Sequence, residues 1–339
     1  MSQYYYNPFG NNSDVYEARQ TEFLREQQKK SEKKEIRAIS LTMGCAIIAY
    51  VVLQNVVGFL LLSFNLYDEY ESNPLFNYSI YVLFVSFLSV LVPFGIMALI
   101  NRKRYTYPVI PKTPIKLSSS VAWIGFGMGC CIVANYIVAV IITVINSLTG
   151  FELAQGEMTE PNSVFSCILL VMCLSIMPGI CEELAMRCFS LQLLRKYGKG
   201  FAVFAVSIVF GLLHGNVVQF IFAFLVGLVL GYITVKTDSI VPAIFTHAFN
   251  NGMSVLQYIV KYALGENMAE KSTVFLYVFW FVFAVFSLVY LIVKKEFKTT
   301  VKETSNSVLT TGEKFTAFLF PWMIVPFGVL IYLTVLSIA

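Results

Sequence analysis

Residues 164–194 read VFSCILLVMCLSIMPGICEELAMRCFSLQLL. The run exceeds the about 20 residues that cross a hydrocarbon core, and its only charges are Glu182, Glu183 and Arg187. In lipid every backbone N–H and C=O must be bonded within the segment or a closed barrel, and this run lacks a barrel strand's alternation. A membrane helix is the remaining solution. The excess length predicts tilt, extension past the hydrocarbon, or a break, expected at Pro178-Gly179.

Further apolar blocks lie near residues 39–63, 78–100, 118–148, 201–214, 217–235, 239–262, 273–293 and 315–338. The expected fold is therefore all-α, a polytopic transmembrane helix bundle of about eight to nine membrane segments. A polar tail is read over 1–38 and N-terminal transmembrane helices over 39–163. A helix bundle that holds the buried charges follows over 164–262, and C-terminal transmembrane helices over 263–339. Composition agrees: 57% of the 339 residues are hydrophobic and 13% charged, where soluble domains carry about 25% charged residues. Mean hydropathy is +0.71. The run over 201–214 ends in His214-Gly215-Asn216 and is expected to stop inside the protein, where other helices or a wet cavity cover its backbone.

Basic residues divide by link. Arg19 to Arg37, Arg102 to Lys116, Arg195 to Lys199, Lys236 and Lys294 to Lys314 fall on one side, and only Lys261 and Lys271 on the other. The positive-inside rule then places the N-terminus in the cytoplasm and the C-terminus outside, in an integral protein of the plasma membrane. The outer links instead carry Asp68, Glu69, Glu71, Glu152, Glu157, Glu160, Glu266 and Glu270. The net charge of +4 forms no nucleic-acid patch, and the seven cysteines lie in or beside spans, which gives a disulfide framework no support. The first 38 residues lack an apolar h-region and are expected to form a soluble tail, disordered at Tyr4 to Asn12.

Ionisable groups inside spans are costly enough to mark function. Here they are Glu182, Glu183, Arg187 and the chain's two histidines, His214 and His247. Glu183 and Arg187 stand four apart, as a structural ion pair along one helix would. Glu182, rotated by about 100°, is left to face a cavity as general base, with His214 holding the attacking water. His247 and Asn251, also four apart, offer two donors to an oxyanion. Phe210 is read as packing. A Cys-His reading through Cys181 or Cys188 is a minor alternative.

These residues resemble three ordered motifs of the CAAX prenyl endopeptidase and bacteriocin-processing (Abi) family: Glu182-Glu183-x-x-x-Arg187, Phe210-x-x-x-His214 and His247-x-x-x-Asn251. The resemblance covers roughly residues 164–262. It implies an intramembrane endopeptidase in which Glu182 and His214 activate water, His247 and Asn251 form the oxyanion site, and Glu183 and Arg187 are structural. The expected partners are the lipid bilayer and a membrane-attached or amphipathic peptide, prenylated or bacteriocin-like. No cofactor is the preferred reading, with zinc on Glu182, His214 and His247 as the alternative. Rival functions are a transporter or channel with a buried Glu/His path and a non-catalytic immunity or scaffold protein. Counted from the basic flanks at 1.5 Å per residue, His247 lies about 12 Å and His214 about 21 Å deep, in a cavity expected to open to the cytoplasm.

Overall fold

The structure, a computed structural model, describes residues 12–150, 153, 158–297 and 307–336. Apart from Asn12, which begins the first helix, the stretch Tyr4 to Asn12 lies outside them, as do the link residues Glu152, Glu157, Lys298 and Lys302. Regular structure among the described residues is helical, with one isolated bridge between Lys112 and Ser239. The principal helices are α1 (Asn12–Ser63), α2 (Pro74–Ile100), α3 (Leu117–Thr149), α4 (Val164–Tyr197), α5 (Lys199–Leu212) and α6 (Val217–Thr237). They continue as α7 (Val241–Leu264), α8 (Glu266–Val293), α9 (Thr311–Leu319) and α10 (Ile324–Leu336).

Six of these (α1, α2, α3, α4, α6 and α8) are long and apolar enough to cross a membrane, and α9 with α10 makes a seventh if the pair, bent by 78°, is one broken span. The eight to nine segments expected from sequence differ for physical reasons. Helix α5 has only 14 residues, and α7, although 24 residues long, carries His247, Asn250 and Asn251 in its middle. The bend between α9 and α10 follows Phe320, which stands extended before Pro321, as the residue preceding a proline is driven to do. The polar region before residue 39 is helical from Asn12 and continuous with the first span.

No break occurs at Pro178-Gly179. Helix α4 runs through, but widens into π turns at Met172–Ile176 and Leu184–Ser190. The first precedes Pro178, whose missing N–H and bulky ring a regular α turn accommodates poorly. In the second, the Ser190 hydroxyl donates to the Ala185 carbonyl, 2.8 Å away and five residues back.

The charged links gather at two ends. At one, Lys196 meets Glu35 at 2.5 Å, Arg195 meets Asp238 at 2.5 Å, Lys33 meets Glu313 at 2.8 Å, and Trp123 donates to Glu296 at 2.8 Å. At the other, Lys261 bridges Glu160 at 2.8 Å and Glu266 at 2.7 Å, while Tyr78 donates to the Thr159 carbonyl. These are the basic and acidic sets separated in the sequence. Burial alone would raise the Asp238 carboxyl, but hydrogen bonds from Arg195 and Thr113 outweigh it and hold the group below its ordinary value.

Helices α5 and α6 form a hairpin that begins and ends at the basic end, since α5 starts beside Arg195 and α6 runs out at Asp238, which Arg195 binds. The largest core cluster lies under this hairpin and joins Ile36 and Met43 of α1, Phe94 of α2, Leu191 and Leu194 of α4, Ala202 and Val206 of α5, and Phe318 of α9. It fixes the hairpin against α4, and the hairpin's tip carries His214.

Candidate active site

A row of small residues on α4 decides where its carboxylates go. Ser175, Gly179 and Glu183 recur every four residues and so share a face. The Ser175 hydroxyl donates to the Ala248 carbonyl at 2.8 Å, and a Cβ added at Gly179 would stand 3.0 Å from the Ala248 Cβ. Only glycine lets the two backbones come this close. One turn further along α4, Glu183 then reaches the neighbour of Ala248, His247.

His247 Nδ1 lies 2.9 Å from Glu183 Oε1, and since a carboxylate only accepts, Nδ1–H is the donor. The same oxygen stands 3.1 Å from an Arg187 guanidinium nitrogen, and both side chains of that ion pair are almost completely buried. The arrangement corrects the sequence reading, in which Glu183 served Arg187 alone. The i, i+4 pair is present, but Glu183 also orients His247.

Phe210 fills the space between these groups. The Arg187 guanidinium lies 4.6 Å from its ring centroid, and the rings of His214 and His247 meet it edge to face at 5.0 Å and 5.9 Å. His214 follows the end of α5, where its Nδ1–H donates to the Phe210 carbonyl at 2.9 Å and leaves Nε2 as the outward nitrogen. Gly215, at φ 61°, turns the chain, and the Asn216 side chain caps α6 by accepting from Val218 N at 2.9 Å and Gln219 N at 3.2 Å. Tyr50 of α1 ties the turn down by donating to the Leu213 carbonyl at 2.7 Å.

Glu182 makes no ion pair with Arg187, whose partner is Glu183. The Glu182 Oε2 is buried without a hydrogen-bond partner among the described residues, 3.8 Å from His247 Nε2 and so beyond hydrogen-bond reach. Asn251 stands one turn beyond His247, its side-chain oxygen accepting from Asn250 at 3.2 Å.

Glu182, His214, His247 and Asn251 all line one cavity of about 260 Å³. Sequence reasoning missed its other polar walls, Tyr81, Asn135, Gln219, Asn250, Ser254 and Tyr277. Gln219 and the Asn250-Asn251 pair are polar residues inside apolar runs, a signal that was available. A second cavity of about 430 Å³ lies against α1 and α2, with Tyr50, Gln54 and Ser86 in its wall, and shares Glu182, His214 and Gln219 with the first. A third, of about 510 Å³, shares Gln219, Asn251 and Ser254 and extends to Gln257, Lys261, Glu160 and Glu266. The cavities thus extend to the acidic end, and no residue of the basic-end links lines any of them, contrary to the opening expected from sequence. Between the site and the basic end stands the packed core of α4 and α5.

Neither Cys181 nor Cys188 lines these cavities, and both are buried. Among the described residues no three His, Cys, Asp or Glu side chains are arranged to hold a metal ion. Glu182 and the outward nitrogens of His214 and His247 share the cavity without forming a ligand cluster.

Residues 164–253 match the family model described as Type II CAAX prenyl endopeptidase Rce1-like. The matched stretch runs from the start of α4 into α7 and contains Glu182, Glu183, Arg187, His214, His247 and Asn251. No curated protein and no solved structure matches the chain.

Proposed function

We propose, from the match of residues 164–253 to the type II CAAX prenyl endopeptidase model, that this chain is an intramembrane endopeptidase hydrolysing membrane-associated peptides with water. The observation that carries the reading is the convergence of Glu182, His214, His247 and Asn251, from three separate helical segments, on one polar cavity inside a membrane bundle. A transporter path would need no pair of donors opposite a base.

Water sits between Glu182 and His214 Nε2. Glu182 takes its proton as the oxygen attacks the peptide carbonyl carbon, and later gives that proton to the departing amine. The products are a carboxyl and an amine terminus. Charge developing on the carbonyl oxygen meets His247 Nε2–H and the Asn251 side-chain N–H, whose own oxygen is already engaged by Asn250. For Nε2 to donate while Nδ1–H is given to Glu183, His247 must be the imidazolium. Glu182 and Glu183 then balance Arg187 and His247, so this buried group carries no net charge.

The substrate is a peptide held at the membrane, lipidated or bacteriocin-like, and the setting is the plasma membrane with the N-terminus in the cytoplasm. Every step uses protein groups alone. The test is to reconstitute the purified protein with membrane-anchored peptides and identify fragments by mass spectrometry. Fragments are expected from the wild type and absent with Glu182→Gln; a folded Glu182→Gln protein with wild-type turnover overturns the general-base role. Prolonged chelation is expected to leave turnover unchanged, whereas chelator-sensitive, zinc-restored turnover with stoichiometric bound zinc would replace the metal-free mechanism.

A further inference from the structure

We propose that the peptide reaches this site from the acidic end of the bundle, the face opposite the basic links, through the polar passage that Gln219 joins to the catalytic cavity. The inference rests on the endopeptidase reading and adds to it the side from which substrate is served.

Three observations carry it. First, Gln219 lines all three cavities, so the catalytic cavity, the cavity under α1 and the cavity that reaches Lys261 meet at one side chain. Second, the way from the basic end is closed. The buried pair Glu183 and Arg187 lies directly beneath Phe210, and under it Leu191, Leu194, Ala202 and Val206 are packed to almost complete burial. Third, the passage has the chemistry of a peptide guide. Its walls offer the neutral amides of Gln219, Asn251 and Gln257 and the hydroxyl of Ser254, which suit an extended backbone's alternating donors and acceptors. At the mouth Lys261 is held between Glu160 and Glu266, one cation shared by two carboxylates, so the entrance keeps a net negative charge and favours a stretch without acidic residues.

The substrate class that fits is a membrane-held peptide presenting a neutral, extended stretch on the face opposite the basic links. By the positive-inside rule that face is extracytoplasmic. The passage therefore suits a segment already carried across the membrane better than one still attached to its cytoplasmic side.

The test needs no knowledge of the substrate. Ser254→Cys and Gln257→Cys are placed in the full chain, with Lys103→Cys, exposed in a basic link, marking the other face. A membrane-impermeant thiol reagent is applied to intact cells and to inverted vesicles, subtracting the labelling of the unsubstituted chain. Reaction of Ser254→Cys and Gln257→Cys from the face opposite Lys103→Cys is expected, together with loss of most cleavage once Ser254→Cys is labelled. Labelling from the same face as Lys103→Cys overturns the proposal. So does no labelling at either position while Lys103→Cys reacts, or full cleavage by labelled Ser254→Cys. Gln257→Cys, nearer the mouth, reports the face even where Ser254→Cys does not fold. Because sidedness is read without turnover, a wild-type protein that releases no fragments would fell the endopeptidase reading while leaving the labelled face measurable.

Discussion

Two helix contacts in this molecule use the same packing device to different ends. Where α4 meets α7, Gly179 brings the backbone against Ala248; where α3 meets α8, Gly129 does the same against Ala284, with only 2.5 Å between an added Cβ and the Ala284 Cβ. Lipid supplies no hydrophobic drive to join helices, so both contacts depend on close van der Waals packing that small residues permit. One turn past Gly179 stands Glu183, buried and bonded to His247. One turn past Gly129 stands Val133, and α8 keeps its apolar side chains exposed, among them Phe275, Phe281 and Phe286. Close packing alone therefore makes a wall. It makes a site where the next turn carries a polar group that other helices shield from lipid.

The largest effects should come from the polar side of this contrast. Glu182→Gln, His214→Ala and His247→Ala are each expected to lower kcat by about a hundredfold or more, with membrane insertion unchanged, as steady-state cleavage of a reconstituted peptide would report. Gly179→Val comes next. Its side chain must push α7 away, and a displacement of about 1 Å between reacting groups costs on the order of a hundredfold. Gly179→Ala, with one carbon to place, should lose less, and equal activity in both would show that the close approach does not set the site.

Breaking the buried charges tests stability as well as chemistry. Glu183→Ala and Arg187→Ala each strand a charge in the interior, at a cost of about 3–5 kcal/mol visible as a lowered Tm in detergent. Because Glu183 also holds the His247 ring, Glu183→Ala should lose more cleavage than Arg187→Ala among molecules that remain folded. The reverse order would return Glu183 to a purely structural role. The mildest change is Gly129→Leu, which overpacks the contact between α3 and α8 at about 1–3 kcal/mol and should leave cleavage per folded molecule as it was. If it silenced the enzyme as Gly179→Val does, the two contacts would not differ in function.

How much of this was legible without the structure depended on the range of the interaction. The helical class followed from the long apolar runs, and the pairs Glu183–Arg187 and His247–Asn251 from i, i+4 spacing, because both are local properties of one segment. The hydrogen bond between Glu183 and His247 was not legible. The two residues lie 64 apart, and their meeting depends on which glycine faces which alanine. For the same reason Phe210 read as ordinary packing, although it packs against Arg187, His214 and His247 together. The break expected at Pro178 was a fair use of proline's missing donor, but helix α4 absorbed the strain in a wider turn. Polar content in the middle of α7, which keeps it from counting as a span, is what the site requires of it.

That wider turn has a consequence for how sequences of this kind should be aligned. The π turns of α4 hold residues in excess of an α turn, so the helix tolerates a gap of one position inside a membrane segment, where alignment practice penalises gaps most heavily. Removing one residue between Leu184 and Ser190 would let the backbone close into a regular α turn with its hydrogen bonds intact. Everything after it, Gln192 and Arg195 included, would rotate by about 100° relative to Glu182 and Glu183. Within this helix the register between the glutamates and the basic end is thus held by one extra residue and is invisible to any count of hydrophobicity.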